Sequence, residues 1–131
     1  MTEVKSVIPF PLYDYRVYIL FTDDIIASAD KLASEGILTA NHNVDDTTQA
    51  FCVKPRNRSL GYVVLKFNAK PLHIAHESYH AISSIMKWIG AAHEEEVIAY
   101  HLGYLVGLIH KDQEKAQKKL EKVLDKKLKQ E

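Results

Sequence analysis

From Pro71 onward the chain carries apolar residues at helical spacing, with Ala81, Ile82, Ile85, Met86 and Ile89 forming one stripe. Inside the same stretch stand His76, Glu77, Ser78, Tyr79 and His80. The stripe predicts a helix from Pro71, whose missing amide proton costs nothing at a first helical position, to about Trp88, with Gly90 breaking it. On that helix residues four apart project from one face, so the imidazoles of His76 and His80 can converge on one ion while Glu77 stands beside it. Two protein ligands hold a metal weakly, and catalytic zinc sites usually take three plus a water. The chain is therefore expected to supply a third ligand elsewhere.

Glu94, Glu95 and Glu96 open the next helical stretch, and each step turns the side chain by about 100°. Glu94 lines up with Ile98 and His101, and Glu95 with Ala99 and Leu102. Glu96 shares its face with Tyr100, Gly103 and Gly107, and the two glycines suggest a place where a neighbouring backbone approaches closely. Glu96 is taken as the third ligand, with Glu95 as the fallback.

Walking the chain, Tyr15 to Phe21 is rich in aromatic and β-branched residues and reads as a first strand. Thr22 or Asp23 can cap a following helix with Ile25, Ile26, Ala29, Leu32 and Ala33 at helical spacing, ended by Gly36. Residues 41–48 are polar and loop-like. Gln49 to Lys54 and Gly61 to Asn68 read as two strands around the turn at residues 54–59, antiparallel to one another. The expected fold is α+β: a small, mostly antiparallel sheet packed on the HExxH helix and a second, ligand-bearing helix.

At this point HESYHA followed by EVIAYHLGYLVG resembles the gluzincin metallopeptidases, in the minimal form found in small bacterial and phage-encoded proteins; the likeness covers roughly residues 60 to 109. It implies a zinc cofactor held by His76, His80 and Glu96, the last in an ExxA context with Ala99. It also implies a strand before the first helix whose edge binds extended substrate, a position that residues 61–67 fit. The activity implied is hydrolysis of a peptide or protein substrate by zinc-activated water, with Glu77 as general base. Tyr100, Tyr104, His101 and His73 are candidates to stabilise the oxyanion, Tyr100 first because it shares the presumed ligand face.

Length and composition admit one domain. The 131 residues are 47% hydrophobic and 26% charged, ordinary for a globular chain and against wholesale disorder. We expect a metallopeptidase-like domain over residues 1–110 and a charged helix over 111–131, in which Ala116, Leu120, Val123, Leu124 and Leu128 share one side. Formal charge is zero overall, but the tail holds eight lysines against five acids, leaving nine basic and twelve acidic groups in the body. The mixed charges of the tail, without aromatic stacking residues, argue against nucleic acid as a partner. A single cysteine, Cys52, excludes an internal disulfide and reads as a small buried hydrophobe in a strand. No apolar run reaches membrane-spanning length and the first residues lack the apolar core of a signal peptide, so a cytoplasmic protein of a bacterial cell or phage-infected host, without membrane association, is expected. Two other readings follow from the same residues: a scaffold with structural zinc that docks on a host or regulatory protein, and a metal-free polar network at His76, Glu77, His80 and Glu96. Buried charges without a compensating ion make the last costly.

Overall fold

The computed structural model describes residues 1–56 and 58–130. Four strands, β1 (Glu3–Phe10), β2 (Tyr15–Thr22), β3 (Ala50–Val53) and β4 (Leu60–Lys66), form one sheet in the order β1-β2-β4-β3. The pairs β1/β2 and β3/β4 are antiparallel, and β2/β4 is parallel. Three α-helices accompany them: α1 (Ile25–Ser34), α2 (Pro71–Trp88) and α3 (Glu95–Gln130).

Alternation along the strands divides the side chains between two layers. Val17, Ile19 and Phe21 of β2, with Val63 and Leu65 of β4, face α2 and α3, meeting Ile74, Ile82, Ile85, Met86, Leu105 and Ile109. Their neighbours Leu20, Tyr62 and Val64 face the other way and pack on Ile25 and Leu32 of α1. Covered on both faces, β4 reads as an unbroken apolar run from Tyr62 to Leu65, as a doubly buried strand should.

The α+β class and the mostly antiparallel sheet are as expected; four local expectations are corrected. The N-terminal segment, left without structure by sequence reasoning, forms β1 along the whole of β2 from Glu3 opposite Thr22 to Phe10 opposite Tyr15. The cap of α1 is Asp24, whose Oδ1 accepts from Ala27 N at 3.0 Å, rather than Thr22 or Asp23. Thr22 stays in the strand, its hydroxyl tied to the backbone of Asp24. The strand before the HExxH helix, β4, has no free edge because β2 and β3 flank it; the exposed edge on that side is β3. No neighbouring backbone among the described residues lies against Gly103 or Gly107, since a Cβ at either would meet nothing within 4 Å.

The expected division at residue 110 falls inside α3, which is continuous to Gln130. Its docking outlasts that point by several turns. Ser6 Oγ donates to Asp112 Oδ2 at 2.7 Å, Gln113 Nε2 donates to the carbonyls of Phe67 and Ala69, Gln117 Nε2 donates to Phe67, and Ala116 is fully buried. The two glutamines satisfy carbonyls that the strand-to-helix corner would otherwise leave unpaired. Beyond Leu120 the apolar residues Leu124 and Leu128 are exposed. No helix among the described residues is long and apolar enough to cross a membrane.

This arrangement makes the two ends of α3 energetically unequal. Ile109→Ala, at a fully buried position, should cost about 2–5 kcal/mol of stability in urea denaturation, whereas Leu128→Ala should cost less than about 0.5 kcal/mol.

Candidate metal centre

The rotation of α2 is set by its buried residues Ile74, Ser78, Ala81, Ile82, Ile85 and Met86. At about 100° per residue this core stripe leaves His73, His76 and His80 together on one flank, with Glu77 at the boundary between flank and core. Glu77 is accordingly 6% exposed, while the imidazoles reach solvent.

The two Nε2 atoms of His76 and His80 are 3.2 Å apart, with the ring planes inclined at 71°. Two nitrogens bound to one tetrahedral zinc at about 2.05 Å would stand about 3.3 Å apart. The observed pair thus already has the bite that a single ion requires, although a neutral imidazole pair sharing one hydrogen bond has the same spacing. Glu77 joins them: ligand atoms of His76, Glu77 and His80 all lie within 4.8 Å of one another. Burial raises the carboxyl of Glu77 above the usual carboxylate range, an effect that nearby His76, His80 and His73 partly oppose. That is the environment in which a carboxylate becomes a usable base.

The cluster opens on a groove of about 650 Å³ walled on one side by Leu72, His73, His76, Glu77 and His80 of α2, and on the other by the β3 strand with its flanking Gln49 and Lys54. Because β3 closes the sheet on this side, a free strand edge runs beside the cluster. Cys52, on the same wall, has its thiol pushed up to about 12, first by burial and then by the charge of Glu77, so it stays a protonated, inert wall residue as expected.

Glu96 and Tyr100 are not part of this centre. Glu96, Tyr100, Gly103 and Gly107 do share a face, as helical phase requires, but all four are exposed: the face is the solvent side of α3. Glu95 is exposed as well. The physical reason lies in the length of α2. From His80 it continues to Trp88, about 12 Å at 1.5 Å per residue, before the chain reverses. Gln113, anchored near the start of α2, shows that α3 runs back alongside it, so Glu96 enters at the end of α2 remote from the histidines.

Three of the four oxyanion candidates also lie elsewhere. Tyr100, His101 and Tyr104 line a second groove, of about 350 Å³, with Pro9 to Tyr13 at the β1 end of the sheet. From the outermost strand there to β3 is three strand spacings, about 14 Å. His101 is locked in that place. Its Nδ1 donates to Val97 O at 2.7 Å, leaving Nε2 to accept from the Tyr13 hydroxyl at 2.9 Å. Only His73 among the four borders the His76–His80 groove. Sequence reasoning missed the opposite wall, Gln49 to Lys54, although a short strand after a polar loop was a usable sign of a sheet edge.

No family model matches the chain, and neither a curated protein nor a solved structure matches it.

A carboxyl whose folded pKa is raised contributes its full stability below the ordinary value of 4.5 and loses it as pH rises through the folded pKa. Metal-free protein should therefore weaken as pH rises above that value. Glu77→Gln should remove this loss, so that its stability relative to the unaltered chain rises with pH above that value, which urea denaturation in a chelator at several pH values will read.

Proposed function

We propose that His76 and His80 hold zinc and that the chain is a metallopeptidase-like hydrolase, acting on an extended peptide laid along β3, with Glu77 as general base and without the glutamate ligand from the second helix that a gluzincin would use. The observation that carries this reading is the coincidence of three features in one groove: imidazoles at metal-binding separation, a buried carboxyl with raised affinity for a proton, and a free strand edge. A metal-free polar network explains the first feature alone, and leaves a carboxyl desolvated without benefit.

Zinc bound here would polarise a scissile carbonyl and acidify a water molecule. Glu77 then takes a proton from the attacking water and later gives it to the leaving amine. The β3 backbone aligns the peptide by strand addition, its unpaired amides and carbonyls supplying the register. His73 borders the same groove, and in this reading it takes the oxyanion-steadying role. The polypeptide substrate and a protein docked along the same edge share this recognition.

A second reading, a zinc-bearing scaffold that binds a protein partner without cleaving it, is favoured by one observation: the three clustered ligands come from a single helix and Glu96 stays outside. The two readings separate experimentally. Elemental mass spectrometry of untagged protein should find near-stoichiometric zinc, lost in His76→Ala and His80→Ala and kept in Glu96→Ala; loss in Glu96→Ala would mean that the α2–α3 hairpin closes on the metal. Glu77→Gln should keep zinc and reduce peptide hydrolysis by roughly two to four orders of magnitude. Zinc without hydrolysis in the unaltered chain leaves the scaffold, and no zinc at all sinks both.

A further inference from the structure

Beyond His80 the same flank of α2 continues through Ser84 and Lys87, four and seven residues on, and there it lines a second groove of about 330 Å³. Lys54 borders both, so the two are neighbours along α2. The second groove is walled by Lys54, Arg56, Arg58 and Lys87, with the half-exposed indole of Trp88 and the ring of Tyr15 between them. No acid lines it, and none of its four cations is bound in an ion pair among the described residues. Four like charges gathered around one cleft repel one another, and an anionic occupant relieves that repulsion. In a chain with no net charge, this concentration is local rather than a reflection of composition.

Resting on the peptide-hydrolase reading above, we infer that this cleft is the subsite for acidic side chains of the substrate, making the preferred occupant a peptide with a glutamate- or aspartate-rich stretch beside the reacting bond. The spacing fixes where that stretch lies. Ser84 to Trp88 are four to eight residues beyond His80, about 6–12 Å along the helix. An extended peptide advances about 3.3 Å per residue, so the acids fall two to four residues from the bond held over His76 and His80. The arginines offer bidentate partners for carboxylates, and the indole covers the peptide's apolar stems. Single-stranded nucleic acid would use the same charges and stacking ring, but the cleft begins at Lys54, directly after the free edge of β3 ends at Val53, and that edge aligns a peptide backbone and has no counterpart for a phosphodiester chain.

The test is binding, read by fluorescence anisotropy of a labelled peptide with a short glutamate block, its glutamine counterpart, and an oligothymidylate of similar length. Each is titrated into zinc-loaded and chelator-stripped protein. The glutamate peptide should bind at least tenfold more tightly than the glutamine peptide in both forms. That preference should weaken with salt and vanish in Arg58→Glu combined with Lys87→Glu, two exposed positions whose change leaves the core intact. Equal affinity for the two peptides, or a preference that survives the double charge reversal, overturns the inference. Tighter binding of the oligothymidylate overturns it in favour of nucleic acid. Because stripped protein is included, a chain that takes no zinc fails the hydrolase reading while the charge preference still stands or falls separately.

Discussion

Everything functional in this protein depends on the burial of one side of α2. Ile74, Ile82, Ile85 and Met86 are fully buried against the sheet and α3, and burying side chains of this kind is worth roughly 1.5–3 kcal/mol each. Rotating the helix by a single residue step would withdraw most of that contact. The core therefore fixes the azimuth of the whole helix, and with it the direction of every residue on the opposite flank. His76 and His80 converge on the β3 side because the apolar residues two, five and six positions beyond His80 are held on the core side. The metal-binding geometry needs no dedicated support; it is inherited from packing.

Glu77 shows what this inheritance costs. As a residue on the boundary between stripe and flank, it is carried most of the way into the core, where its ionised form is penalised by desolvation and only partly relieved by the three neighbouring histidines. A glutamine or an apolar residue would fit the boundary with less penalty. A carboxyl kept at such a place is more readily understood as a proton acceptor facing the groove than as a contributor to folding. The same burial reaches Cys52 across the groove, whose thiol is held protonated. Burial thus raises both titratable groups on the facing walls, and holds the thiol protonated.

What could be read from sequence was relative orientation, and what could not was absolute orientation. Helical phase correctly put Glu96, Tyr100, Gly103 and Gly107 on one face and His76 with His80 on another, because phase depends only on the residue step. It cannot say which face looks inward. Glycines on a buried face permit close approach, but the same glycines on an exposed face cost only helix propensity, and on α3 they are exposed. The punctuation of α2 was equally legible, since Pro71 opens it and Gly90, at φ +75°, ends the turn that follows. Strand order was not. The free edge went to β4 in sequence reasoning because that strand directly precedes α2, and nothing local reveals that β2, residues away in the chain, pairs with it in parallel. β1 escaped because its outer position leaves several side chains exposed, so Glu3 to Phe10 lacks the continuous apolar signal of β4.

The length of α2 links these points. A hairpin that turned soon after His80 would bring the first residues of α3 level with the histidines and allow a carboxylate there to reach their ion. Continuing to Trp88 places that turn about 12 Å away, and uses the additional helix for a different purpose: it carries Ser84, Lys87 and Trp88 along the flank already occupied by His76 and His80. The same two turns that separate Glu96 from the cluster thus carry the flank on from the histidine groove to a neighbouring cationic one. A third protein ligand and a second groove compete for the same stretch of helix, and in this chain the groove has it.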